Sequence, residues 1–223
     1  MKGYISQKIT SIKQEIPENV SLIGITKQVD TVAMREAYSA GVRDFGENRL
    51  QEALAKQHEL KDLTDVSWHF IGHIQKNKAK KVIENFDWIH SVDSLALAKR
   101  MNRLAGELDL TPKVFLQIKI LPDPNKYGWS AENLLADLKQ LNEYECLNIQ
   151  GLMTILPWGL SSAEALSAFD RVAELSAEIR QADYSRLPMS ELSMGMSGDY
   201  KLAIQAGASQ IRLGRTIFGE RNS

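Results

Sequence analysis

A chain of 223 residues, 43% hydrophobic and 25% charged, is long enough for one large domain with a sizeable core, and a single domain over residues 1–223 is expected. Its formal net charge of −1 and pI near 6.4 give no global attraction to nucleic acid or an anionic membrane, so a small-molecule partner is expected. No apolar run approaches the roughly 20 residues of a membrane span and the start MKGYISQKIT lacks a signal-peptide block, which together predict a cytoplasmic protein. The single cysteine, Cys146, excludes an intrachain disulfide and a cysteine-based metal site, and reads as a small buried filler.

The chain opens with a helical pattern over YISQKITSIKQEI and then alternates short β-branched runs with amphipathic stretches. The first strand, VSLIGITK, precedes the helix TVAMREAYSAG; VRDFGEN precedes RLQEALAKQHEL; VSWHFIGHI precedes QKNKAKKVIENF. DWIHSVD is followed by SLALAKRMNRLAGEL, KVFLQIKI by AENLLADLKQLNEY, and NIQGLMTIL by SAEALSAFDRVAELSAEIRQA. ELSMGMS and DYKLAIQAGA come next, and SQIRLGRTIFG is the eighth strand. LPDPNKYGW is the longest irregular connection, and no Pro-, Gly- or Ser-rich linker divides the chain.

Eight strands separated by helices predict parallel βα units, because parallel neighbours need a crossover of a dozen or more residues. Eight such units close into an α/β (β/α)8 barrel, the TIM barrel, here preceded by an N-terminal helix. A doubly wound open sheet is the alternative, since sequence alone does not show whether the first and last strands pair.

Strand alternation places Lys27 on one face with Ile23 and Ile25, groups His69 with Ile71 and His73, and groups Phe115 with Gln117 and Lys119. If Ile211 and Leu213 pack against helices, Arg212 points into the barrel, where a buried guanidinium needs an acceptor. Barrel sites lie at the carboxyl ends of the strands, with phosphate often held after strands 7 and 8. There ELSMGMSGDYKLAI supplies Ser193, Gly195, Ser197 and Gly198, and RLGRTIFG supplies Gly214, Arg215 and Thr216, a candidate phosphate cradle.

A lysine at a strand end ordinarily snorkels to solvent, and Ser197 could simply cap a helix. Inside a barrel mouth, however, the Lys27 amine loses hydration and becomes a neutral nucleophile capable of forming a Schiff base. A Schiff-base lysine with a phosphate cradle fits either an aldolase acting on a phosphorylated sugar or a pocket for pyridoxal phosphate. Arg212 facing a pyridine nitrogen would leave it unprotonated and weaken its electron sink, favouring holding over carbanion chemistry. His69 and His73 have no third ligand at metal spacing and read as packing or hydrogen-bonding groups. QKNKAKK reads as a solvated helix face, and Asn48 either reaches a ligand oxygen or caps the next helix.

The segments GITK, FGENRLQEA, WHFIGHIQKNK, GLMTI, LSMGMSGDY and IRLGRTIFGER together resemble the pyridoxal-phosphate homeostasis proteins, single-domain relatives of the alanine racemase barrel, from about Leu22 to Arg221. The resemblance implies an alanine racemase N-terminal domain-like barrel carrying pyridoxal 5′-phosphate (PLP) on Lys27. It also implies phosphate around Ser193, Met194, Gly195, Ser197, Gly214, Arg215 and Thr216, the pyridine nitrogen facing Arg212, and Asn48 near the ring. Two positions depart from the family pattern: Lys119 where an Asn is frequent, and Arg215 where a small residue is usual.

The expected function is therefore a monomeric, non-catalytic carrier in vitamin B6 and amino- and keto-acid homeostasis, with PLP and PLP-dependent apoenzymes as partners. The chain stops at Ser223, without the further β domain and partner tyrosine of the racemases, so one of two proton-transfer groups is expected to be missing. The rivals are a weak PLP-dependent racemase or lyase using Tyr127, Tyr200 or a histidine as second base, and a scaffold whose protein contacts the cofactor regulates.

Overall fold

The structure is a computed structural model and describes residues 3–220; Arg221, at the end of the last motif, lies outside the described residues. Helix α1 (Tyr4–Glu15) precedes β1 (Ser21–Ile25), α2 (Thr31–Ser39), β2 (Asp44–Glu47), α3 (Leu50–Glu59), β3 (Ser67–Phe70), α4 (Ala79–Asn85) and β4 (Trp88–Val92). There follow α5 (Leu95–Leu108), β5 (Lys113–Ile118), α6 (Ala131–Leu141), β6 (Asn148–Thr154), α7 (Ser162–Gln181), β7 (Glu191–Ser193), α8 (Tyr200–Gln205), β8 (Gln210–Leu213) and α9 (Arg215–Phe218). All eight strands are parallel and close in sequence order, with Leu22 opposite Ile211 and Ile23 opposite Arg212 where the last strand meets the first. That pairing decides between the barrel and the open sheet.

The helices form because their apolar positions fall on one stripe and their starts are capped. In α5, Leu97, Ala98, Met101, Leu104 and Ala105 are buried at helical spacing, and the Ser94 hydroxyl accepts from the Leu97 N–H. Ser161 and Glu164 close a reciprocal capping box at the start of α7. Each large aliphatic side chain so buried contributes about 1.5–3 kcal/mol. Outward-facing strand residues such as Val114, Leu116, Ile211 and Leu213 meet these stripes in one continuous core. The inward-facing set, including Ile23, Phe115 and Met153, fills the barrel.

Several elements are shorter than expected. SQIRLGRTIFG is strand only through Leu213, after which the Ile217 and Phe218 N–H groups return to the Gly214 carbonyl and open α9. Ile217 is fully buried in the core, so packing overrides the β propensity of Thr, Ile and Phe. ELSMGMS is strand only to Ser193, and QKNKAKK is a turn through Lys78, closed by Lys78 N–H to the Gln75 carbonyl, and helix from Ala79, where α4 begins. Cys146 is half-buried rather than enclosed, beside Gly106.

Candidate functional site

The carboxyl ends of the strands surround a cavity of about 560 Å³. Lys27, in the turn after β1, lines it together with Ile25, and Asn48, just beyond β2, lines the adjacent wall. From the other end of the chain come Ser197, Arg212, Gly214 and Arg215. Strand closure between β1 and β8 is what brings these two groups together.

Backbone conformation shapes the wall. Gly195 has φ 88°, in the left-handed region, and a Cβ there would meet Ala203 Cβ at 2.7 Å and Tyr200 Cα at 2.9 Å, so only glycine lets the β7 exit fold tightly onto α8. A Cβ on Gly72 would approach the Asn48 carbonyl oxygen to 2.3 Å; without it the two loops touch and hold Asn48 at the rim. Asn48 does not cap α3, whose first flanking residue is Arg49, and its buried Oδ1 has no hydrogen-bond partner among the described residues. Ser197 does not cap α8 either: Asp199 takes that position, accepting the Met196 N–H at 2.6 Å, while the Ser197 hydroxyl accepts the Thr216 N–H at 3.3 Å.

The remaining sequence-derived positions stand off the cavity. Thr216 tethers the Ser197 turn through its amide, Gly195 supplies the bend, and Met194 is buried in the helix-facing core. Ser193 turns into the barrel beneath the cavity and is fully buried. Lys119, Tyr127, Tyr200, His69 and His73 are absent from the lining. The Tyr200 hydroxyl donates to Glu15 at 3.3 Å, and Tyr127 stacks on His73, whose Nδ1 lies 2.8 Å from Asp93. The β6–α7 loop, with Pro157 and the 98% exposed Trp158, forms a side of the cavity that no residue singled out from sequence anticipated. Pro-Trp-Gly immediately after a barrel strand was the available signal.

Arg212 forms the floor. It is 3% exposed, its Nη1 donates to Ser193 Oγ at 2.6 Å and its Nη2 to the Thr154 carbonyl at 2.7 Å. Burial pushes its pKa down to about 10, opposed by Asp199, and the guanidinium stays charged at neutral pH. From Ser193 the hydrogen bonds continue: Ser193 Oγ to His90 Nδ1 at 2.8 Å, His90 Nε2 to His69 Nδ1 at 2.9 Å, and His69 Nε2 to Asp44 Oδ1 at 3.0 Å.

With both imidazoles neutral, a single donor direction satisfies every atom of this chain. His69 donates to the carboxylate, His90 to His69, Ser193 to His90 and Arg212 to Ser193. Burial, reinforced by His69 and Arg212, holds the His90 pKa well below the usual histidine range. His69 and His73, paired by alternation, thus part company: one lies inside the barrel and the other at its rim.

The closed parallel barrel carries a lysine and an arginine-floored cavity at its strand ends. Residues 3–222 match the family model for the alanine racemase N-terminal domain, and the chain belongs to that family. Among its relatives, the pyridoxal phosphate homeostasis protein of Synechocystis sp. is 51% identical over 206 residues, which cover 92% of this chain and 94% of that one. The structure of PipY from Synechococcus elongatus with PLP bound is similar at a TM-score of 0.92 and 49% identity, covering 96% of this chain and 100% of that one. PipY without PLP gives a TM-score of 0.93 at 50% identity over the same shares.

Proposed function

We propose that this chain binds PLP reversibly as a Schiff base on Lys27 and serves cofactor homeostasis without turning over a substrate. The observation that carries the reading is that Lys27 and the residues Ser197, Gly214 and Arg215 line one cavity over the Arg212 floor. The chemistry of the lining suits the cofactor. One amine, two guanidinium groups and three serine hydroxyls favour an anion, the unpartnered Asn48 Oδ1 can accept a hydrogen bond from a ring substituent, and a side chain on Gly198 would meet open space. PLP supplies an aldehyde that a neutral lysine amine captures with loss of one water.

Ser197, Gly214 and Arg215 hold the phosphate, with Gly195 and Thr216 shaping that turn. Arg212 faces the pyridine nitrogen, Ser193 acts on the ligand only through Arg212, and Met194 packs behind the strand. The non-catalytic reading is supported by what the lining contains. A racemase or lyase needs a second proton-transfer group, and among the described residues the one carboxylate lining the cavity, Asp199, is engaged through Oδ1 in holding the Met196 N–H. The recipients of released cofactor are PLP-dependent apoenzymes.

Borohydride reduction of the PLP-loaded protein tests the assignment. Label is expected on the peptide containing Lys27, and Lys27→Ala is expected to lose both the label and the visible absorbance while keeping its fold. Label on Lys119 alone overturns it, and sustained protein-dependent α-proton exchange of amino acids in deuterated water overturns the non-catalytic reading.

A further inference from the structure

Alternation along β2 turns Glu47 outward against α3, where it is fully buried, and Lys56 on α3 is only 7% exposed. Lys56 Nζ donates to Glu47 Oε1 at 2.8 Å, to Glu52 Oε1 at 2.6 Å and to the Thr26 carbonyl at 2.6 Å, which uses all three ammonium hydrogens. The buried Thr26 hydroxyl donates to the same Glu47 oxygen at 2.6 Å. Glu52 Oε1 also accepts the Gln28 N–H at 2.5 Å.

The two residues so gripped, Thr26 and Gln28, are the chain neighbours of Lys27 on either side. Gln28 has φ 60°, a left-handed conformation that a glutamine adopts only when its surroundings hold it there. Burial raises the Glu47 pKa against the pull of Lys56 and Thr26, whereas at Glu52 burial is outweighed by Lys56 and the Gln28 amide, and its pKa falls. None of the three side chains reaches the cavity.

We infer that Lys56, Glu47 and Glu52 are positioning residues for Lys27, clamping the backbone before and after it so that its amine meets the ligand's aldehyde from one direction. The inference rests on the Schiff-base reading above. Closing that bond joins Lys27 Nζ to the aldehyde carbon and releases the aldehyde oxygen with the amine's two protons as one water. A fixed backbone raises the effective concentration of the amine at that carbon. It adds nothing to the grip on ring and phosphate, which other residues provide. Covalent and non-covalent affinity therefore respond differently when the clamp is loosened.

The test compares PLP with pyridoxamine phosphate, which shares ring and phosphate but has no aldehyde. Glu47→Gln with Lys56→Met leaves no unpaired fully buried charge, and Glu52→Gln weakens the acceptor shared by Gln28 and Lys56 while leaving Glu47 and its bonds in place; thermal melts establish that each variant is folded. The double variant is expected to lose about tenfold or more in PLP affinity and in borohydride-trapped Lys27, with pyridoxamine phosphate binding within about twofold of wild type. Glu52→Gln is expected to shift the same ratio by a smaller factor, and it keeps the test decisive if the double variant is unfolded. Equal weakening of both ligands, or no change in either, overturns the inference. Wild-type protein without trapped Lys27 instead overturns the Schiff-base reading itself.

Discussion

Inside the barrel, the path from Arg212 to Asp44 runs through a hydroxyl and two imidazoles, each with a partner on both sides. Behind the wall, Glu47 and Glu52 converge on one ammonium, and the second Glu47 oxygen has no hydrogen-bond partner among the described residues. The first is a path through a hydroxyl and two imidazoles, where losing a member leaves two hydrogen bonds unmade but no new charge unpaired inside the path. The second is an ion cluster, where removing the cation leaves a carboxylate in a low-dielectric wall. Buried polarity thus costs less to perturb in one place than in the other, although the two lie on opposite faces of the same strand, β2, one starting at Asp44 and the other at Glu47.

The contrast is broken most forcefully at Lys56. Lys56→Met is expected to cost about 3–5 kcal/mol in denaturant unfolding, and adding Glu47→Gln is expected to restore most of it. Equal costs for the single and double variants would show that the cluster acts through packing rather than charge. The next effect comes from acid. The folded-state pKa of His90 is depressed by burial, so the unfolded chain binds more protons once pH falls below about 6.5. The stability penalty is nil above that point and grows as pH falls towards the folded value, at up to about 1.4 kcal/mol per pH unit. Unfolding curves between pH 8 and pH 5 should show this slope, and His90→Gln should flatten it. The smallest change is expected at Asp44, whose side chain is one-third exposed: Asp44→Asn should cost under about 1 kcal/mol by the same measurement, because the amide oxygen still accepts the His69 N–H and only the charge is lost.

Much of the barrel could be read from alternation alone. Eight runs separated by helical stripes fix the strand count, and the parity of Ile211, Arg212 and Leu213 indicates which side chain enters the barrel. The β8–α9 boundary could not, because Thr216, Ile217 and Phe218 favour a strand locally while the burial of Ile217 decides for a helix. The cavity's two ends were visible as Lys27 and the Gly- and Ser-rich exits of the last strands. The clamp was not. Glu52 and Lys56 sit four apart on a helix, the signature of an ordinary surface ion pair, and only tertiary packing shows that Lys56 is buried against Thr26. His90 was equally silent, a single histidine in a strand whose partners come from positions 69 and 193.

Closure of β8 onto β1 has a consequence for how the molecule comes into being. During synthesis Lys27 leaves the ribosome long before Arg212 and Arg215, and the pocket has no second half until the final strand docks. A small molecule that touches both groups then acts as a clasp across the β1–β8 seam, opposing its opening.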